Sequence, residues 1–573
     1  MEPRGPDGRG APLSADLAPA RVLRVRDAGG CQRQRRGRPA PRPVAARRAG
    51  EGEPHPVQRL AGGGVPPAAA AAHPRLPGRA PRRRRHDDGA LEQGRGHRRS
   101  VWTIEGAGSR VTAEPATFSN RPPTQRAGLG APATTVAFAT LGCRLNQVDT
   151  QQMQALLEAR GFRAVPLEAT PDVVVINTCT VTARAELSDR RAIRRAARLS
   201  PGGRVVVTGC WAQTNGAEVA ALGGVDLVVG NADKPRLPEL LADLLTGDRA
   251  APRVAVSDLA GARLEPVASG PRTDGRSRAF VKVQDGCQHR CAFCIVPFAR
   301  GASRSLDPKL LEDQVRGLVE AGHPEILLTG VDLGHYGADL LPRTDLAALL
   351  GRLAAIDGLR WLRLSSLLPA YFSEPLLELL TASPVIAPHF HVPLQSGSDR
   401  ILRSMRRPYT TAMYRRVVER LAGAIPRLGL GADVIVGFPG EAAADFAATL
   451  GLVETLPFSY LHVFPYSTRR GTEAAVLPGR VEAGVVAERA RRLRQAAARK
   501  SRAFREAMVG RVEDVLVLAR GDRREGDLVG LTGNYIEVAF PGPEDLRRRV
   551  ARVLVTDARG ERARGMLDET LAG

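Results

Sequence analysis

Cysteine, aromatic residues and long apolar runs are all scarce in this chain. Only seven of its 573 residues are cysteine. That excludes a disulfide framework and fits a reducing compartment. Aromatic residues make up 4%. No apolar run is long enough to span a bilayer. The start of the chain lacks the charged, apolar and small-residue succession of a secretory signal. A cytoplasmic protein with no membrane association is therefore expected. Negative charge is outnumbered: 83 Lys and Arg face 60 Asp and Glu, a formal net charge of +23. The excess points to a polyanion, most simply nucleic acid. Arginine far outnumbers lysine, so the codon bias of a GC-rich gene is a competing source of charge. The 43% hydrophobic content suffices for real cores, and the length calls for several domains.

Residues 1–131 read as a different polymer. The first 130 hold 25 arginines, no lysine and 11 acids, a net charge of +14. Most of the rest is Pro, Gly and Ala. Such a composition predicts a disordered basic extension, either an RNA-binding arm or the product of a misplaced start codon. Cys31 within it reads as an incidental thiol.

From 132 to 247, apolar runs alternate with helical patterns, which predicts an open parallel α/β domain. The runs are Val136–Thr140, Val173–Asn177, Val205–Thr208 and Val225–Val229, with helices near 148–160, 182–199 and 213–222. Cys143, Cys179 and Cys210 follow the first three strands. The carboxyl ends of parallel strands share one crevice, so these thiols are expected to converge on a metal cluster. The alternative is three buried cysteines serving as small hydrophobes.

A Gly/Ser/Arg-rich linker is expected around 262–277. Between 272 and 505 six strands are predicted: Ala279–Gln284, Glu325–Val331, Trp361–Ser365, His389–Leu394, Ala432–Val436 and Tyr460–Phe464. Helices near 308–321, 345–356, 374–381, 411–424 and 441–455 separate them. Six such units predict a partial barrel whose active site lies at the carboxyl ends of the strands. Directly after the first strand stand Cys287, Cys291 and Cys294. Three thiolates can hold three irons of a four-iron cluster and leave the fourth open. The rival is a closed zinc site that adds His289, against which the single residue between Cys287 and His289 is tight. An arginine-rich helix follows over about 482–507, carrying Arg489, Arg491, Arg492, Arg494, Arg499 and Arg502, with Arg480 just ahead of it. It reads as RNA grip or as a solvated face. Residues 506–571 then predict a small β-barrel with strands Val515–Leu518, Leu528–Leu531, Tyr535–Phe540 and Val550–Val555.

Cys-x3-Cys-x2-Cys after the first barrel strand, with Phe293 before the last cysteine, resembles the radical S-adenosylmethionine (SAM) superfamily. With Cys143, Cys179 and Cys210 ahead and a β-module behind, the chain looks like the methylthiotransferases and their TRAM domain. Four strings look most like the branch that acts on threonylcarbamoyladenosine in tRNA: Leu141-Gly142-Cys143-Arg144-Leu145-Asn146-Gln147, Cys294-Ile295-Val296-Pro297-Phe298-Ala299-Arg300-Gly301, Leu328-Thr329-Gly330-Val331-Asp332-Leu333-Gly334 and Leu531-Thr532-Gly533-Asn534-Tyr535. His335 and Leu367-Leu368 depart from the commoner family strings.

The resemblance implies two 4Fe–4S clusters, one on Cys287, Cys291 and Cys294 that binds SAM, and one on Cys143, Cys179 and Cys210 that holds or supplies sulfur. It implies a carbon radical able to attack an unactivated C–H bond, an anticodon-loop tRNA substrate, a donor such as flavodoxin or ferredoxin, and a monomer. Phe293, Thr329, Gly330, Asp332, Gln395, Ser396 and Gly437 become candidate contacts to SAM, or turns that merely pack. Arg300 and Arg304 are expected to meet phosphate or the SAM carboxylate, or to lie solvated. His391 reads as structural. The other family activities, on isopentenyladenosine-37 of tRNA or on a ribosomal-protein aspartate, stay open, as does a non-catalytic metal-containing RNA-binding protein.

Overall fold

The computed structural model describes residues 103–104, 111–112, 133–247, 251–260, 262, 264, 276–519 and 526–568. The expected disordered extension lies outside these residues, apart from a two-residue antiparallel pairing of Thr103–Ile104 with Val111–Thr112. Most of the expected linker also lies outside them.

The N-terminal sheet has six parallel strands. Their spatial order is Arg163–Ala164, Thr135–Thr140, Val173–Thr178, Arg204–Gly209, Leu227–Val229 and Arg253–Ala255. Val173, Val174, Val175 and Ile176 are all fully buried, because helices cover both faces of a parallel sheet. Odd and even positions serve different cores. Val173 and Val175 pack with Met153, Leu157 and Leu241. Val174 and Ile176 pack with Ile193, Trp211 and Val219 on the other side.

The central domain is a partial barrel of six parallel strands in sequence order. Arg278–Lys282, Glu325–Thr329 and Trp361–Leu364 form one ladder; His389–His391, Gly429–Val436 and Tyr460–Pro465 form another. Single parallel bridges, Leu362 to Ile386 and Ser366 to His391, join the two. Alternation along each strand sends one set of side chains outward under the helices and the other into the lumen. The outward set is apolar: Val281, Ile326, Leu328, Leu362, Leu364, Phe390, Ala432, Val434, Leu461 and Val463 share one core. The inward set is largely polar and includes Lys282, Glu325, Thr329, Arg363, His389, His391, Asp433 and His462.

Helix Ala483–Glu506 lays Ala490, Leu493, Ala496 and Ala497 into the barrel's outer core. The C-terminal module is a closed barrel of five strands: Val512–Val517, Leu528–Thr532, Glu537–Phe540, Ala563–Leu567 and Val550–Asp557. Four strands were expected; Ala563–Leu567 is the one added. The third strand starts two residues later than expected, because Tyr535 sits at φ 74 inside a turn. That turn stoppers the barrel at the starts of its strands. The Tyr535 ring stacks on His389 at 4.3 Å, and Arg363 donates to the Gly533 carbonyl at 2.9 Å. Arg144 of the N-terminal domain donates to the Tyr535 hydroxyl at 2.6 Å. Gly429 is required here, since a Cβ would lie 2.1 Å from the Asn534 carbonyl.

Candidate active site

A short antiparallel pairing of Gln284–Asp285 with Arg304–Ser305 pinches off the loop that carries Cys287, Cys291 and Cys294. Gly286 makes the entry turn at φ +76, where a Cβ would lie 1.9 Å from the Ala302 carbonyl. The Cys287 amide donates to Gly301 and the Cys294 amide to Cys291, each at 3.0 Å. Main-chain bonds from Ala292 to Met405 and from Ala474 to Ala292 pin the middle of the loop. Phe293 packs against Ile401, Met405, Phe438 and Ala474.

The three thiols sit close enough to disturb one another. Burial, then the Asp332 carboxylate and the other two sulfurs, push the Cys287 thiol up to about 12. Burial and Cys291 push Cys294 up to about 11. Held as neighbours without a cation, such thiols keep their protons; metal binding takes them off. Two thiolates of one zinc would stand about 3.8 Å apart. Among the described residues, the three-donor group that closes to within 4.8 Å lies elsewhere, in the barrel lumen. His289 is already engaged, with Nε2 2.9 Å from the Tyr371 hydroxyl and 3.5 Å from Asp332.

Asp332 is buried beside the loop. The Cys287 thiol donates to its Oδ2 at 3.7 Å and Tyr371 at 3.1 Å. Across the loop Arg407, which sequence reasoning missed, donates from Nη1 to Cys291 Sγ at 3.1 Å. Its Nη2 is buried with no partner. An orphaned guanidinium nitrogen and a buried carboxylate at one cysteine loop fit a zwitterion, with the carboxylate on Arg407 and the ammonium on Asp332. SAM has that amino-acid end. Arg407 lies beyond helix Asp399–Ser404, which follows the fourth strand, and no local sequence pattern marks it.

The remaining candidates divide. The Thr329 carbonyl accepts from the Val283 amide. A Cβ on Gly330 would lie 2.8 Å from Gln284 Oε1, which accepts the Asp332 amide. Gln395 is buried at φ 62, a strained conformation for a non-glycine residue. The Ser396 hydroxyl faces Thr449 and accepts the Ser398 amide. The Gly437 amide donates to Glu441, and a Cβ there would lie 2.4 Å from Val486. The last two therefore spend their polar groups on packing turns.

Cys143, Cys179 and Cys210 do converge. Cys143 precedes helix Arg144–Ala159 and Cys210 opens helix Cys210–Thr214. Gly142, at φ +94, lies so close to Cys179 that a Cβ would be 2.6 Å from that residue's Cβ. Burial pushes the Cys179 thiol well up, and the charges of Cys210 and Cys143 add to it. Asn231 donates to the Cys210 sulfur at 3.9 Å and to the Ala299 carbonyl at 2.6 Å, tying this trio to the helix after the other one.

Arg300 is neither solvated nor placed for phosphate or SAM, contrary to both expectations. It is 3% exposed. One nitrogen forks onto Asp285 at 3.0 and 2.9 Å, and the other reaches Asn146 at 2.7 Å and Asp149 at 3.1 Å. Lys234 and Lys282 also contact Asp149, at 2.6 and 2.7 Å. Three cations thus meet two carboxylates, and the surplus positive charge lies beside Cys210 and Cys143. Although burial disfavours its charge, Asp285 and Asp149 hold Arg300 as a cation. Arg304 donates to the Arg300 and Ala262 carbonyls.

The arginine helix holds both buried and exposed cations. Arg489 is buried against Glu441 at 2.6 Å, and Arg491 and Arg502 pair with Glu488 and Glu506 at 2.7 Å. Arg492 lies over the Phe446 ring and Arg494 donates to the Val463 carbonyl. Arg489 is spent within the fold, whereas Arg491, Arg499 and Arg502 remain more than half exposed.

Three family models match in order: "Uncharacterized protein family UPF0004" over 135–230, "Radical SAM superfamily" over 281–453 and "TRAM domain" over 506–567. Together they define a radical SAM protein with a TRAM module. The threonylcarbamoyladenosine tRNA methylthiotransferase MtaB of Bacillus subtilis is 38% identical over 427 residues, 74% of this chain and 94% of that one. Its Aquifex aeolicus counterpart is 40% identical over 420 residues, 73% of this chain and all of that one. A tRNA-2-methylthio-N(6)-dimethylallyladenosine synthase of Moorella thermoacetica is 36% identical, covering 74% and 96%. The chain belongs to the MtaB family of tRNA methylthiotransferases.

Proposed function

We propose that this enzyme transfers a methylthio group to C2 of N6-threonylcarbamoyladenosine at position 37 of tRNA. The observation that carries the reading is 38–40% identity to MtaB enzymes over nearly their whole length, in a chain that also holds both cysteine trios. The cofactors are SAM and two 4Fe–4S clusters. When bound, they supply homolytic chemistry able to attack an adenine C–H bond that no side-chain base could deprotonate.

The protein's own residues bind, orient and shield. Cys287, Cys291 and Cys294 hold the cluster that meets SAM, while Arg407 and Asp332 take its carboxylate and ammonium. Cys143, Cys179 and Cys210 hold the second cluster, whose negative charge Arg300 offsets. The Tyr535 stopper keeps water from the lumen's closed end. The flipped base of an anticodon loop enters at the strand exits, as RNA readers favour unpaired nucleotides. We further propose a flavodoxin or ferredoxin as electron donor, action in the cytoplasm, and a monomer. Among the described residues no helix is long and apolar enough to cross a membrane.

Mass spectrometry of tRNA nucleosides from a strain lacking the gene tests the proposal. Loss of the 2-methylthio form of threonylcarbamoyladenosine is expected. Loss of methylthiolated isopentenyladenosine instead, or an unchanged profile, would overturn it.

A further inference from the structure

The barrel lumen holds a group of side chains that the reaction above does not use. His391, Asp433 and His462 lie on three adjacent strands. Their sequence neighbours Phe390, Val392, Ala432, Val434, Leu461 and Val463 all pack in the outer core, so these three face inward. His391 Nε2 is 3.1 Å from Asp433 Oδ1, and His462 Nδ1 is 3.2 Å from the same oxygen. One donor atom from each residue falls within 4.8 Å of the other two, and the imidazole centroids are 5.4 Å apart.

We propose that His391, Asp433 and His462 form a mononuclear site for a divalent first-row transition ion, separate from both cysteine trios. Donors bound at about 2.0–2.1 Å to one tetrahedral ion stand about 3.3 Å from each other. Two of the three separations here are already close to that value. Two imidazoles and one carboxylate suit zinc or ferrous iron and leave positions open. The Asp433 and His462 side chains keep 26% and 25% of their surface exposed, so those positions face the lumen. The ring orientation is also supported from behind. The Tyr460 hydroxyl lies 3.1 Å from His391 Nδ1, which turns Nε2 toward Asp433, as an outer partner does at metal sites. Tyr460 is itself placed by His389 Nε2 at 2.9 Å.

The alternative is a metal-free triad in which both rings donate to Asp433. Zinc titration of the cluster-loaded protein, after dialysis against a mild chelator, separates the two. One zinc per chain is expected, with an X-ray absorption edge showing nitrogen and oxygen neighbours and imidazole scattering. Asp433→Asn and His462→Gln should each weaken zinc binding by at least about 100-fold, since even outer partners of metal ligands are worth 10–100-fold. Sulfur in the zinc shell would place the ion on cysteine and overturn the proposal. So would the absence of zinc binding, or variants that bind as the parent does. If a variant loses cluster absorbance through misfolding, the parent's edge spectrum still decides. The nucleoside assay is separate, so either reading can fail alone.

Discussion

At the residue scale the two cysteine trios carry different duties. Cys291 sits on the loop that Arg407 and Asp332 flank; Cys179 sits in the other domain under Gly142. Cys291→Ala should abolish SAM cleavage. Cys179→Ala should keep uncoupled cleavage but lose sulfur insertion. Chromatography of 5′-deoxyadenosine alongside tRNA nucleoside analysis reads both. Equal cleavage by the two variants would refute the division of labour. The gathering of the cysteines into two trios was legible because their positions relative to strands and to each other are sequence properties. Arg300 was not. Its role depends on Asn146 and Asp149, some 150 residues away, and no local pattern encodes that meeting.

At the element scale, the strands with continuous apolar runs were readable, since burial on both faces demands them. The missed pieces are of another kind. Arg163–Ala164 and Arg253–Ala255 are edge strands of two and three residues, too short to show a period. Helix Leu237–Thr246 and strand Ala563–Leu567 also escaped; the latter alternates Ala, Arg, Gly and Met, a weak β signal. The arginine helix was placed correctly, but the burial of Arg489 was not readable, because Glu441 comes from elsewhere in the chain. Its members should differ sharply in stability. Arg489→Ala leaves Glu441 buried without its cation and should cost about 3 kcal/mol. Arg499, 66% exposed and 3.5 Å from Glu454, should cost less than about 1 kcal/mol when replaced by Ala. Urea unfolding of the two variants measures the contrast.

At the scale of the whole molecule, the C-terminal module is part of the barrel's structure. Arg363 and Glu325, both fully buried, pair at 2.8 Å, and Arg363 also holds the Gly533 and Thr532 carbonyls. Although burial opposes its charge, Arg363 keeps the Glu325 carboxyl below its ordinary value. Glu325→Gln strands a buried guanidinium and should cost about 3–5 kcal/mol near neutrality. A depressed carboxyl pKa gives stability that is present above the unfolded value, about 4.3, and is lost as pH falls through the folded one. Melting curves of parent and variant should therefore separate toward neutral pH and draw together in acid. A constant gap across that range would mean that the charge of Glu325 is not what stabilises the docking.

The Tyr535 turn also dictates traffic. With a tyrosine wedged into its floor, the barrel is a cul-de-sac. In the proposed reaction a nucleoside would leave by the strand exits it entered through, past the sulfur-lined rim. Product departure and the next arrival have to take turns.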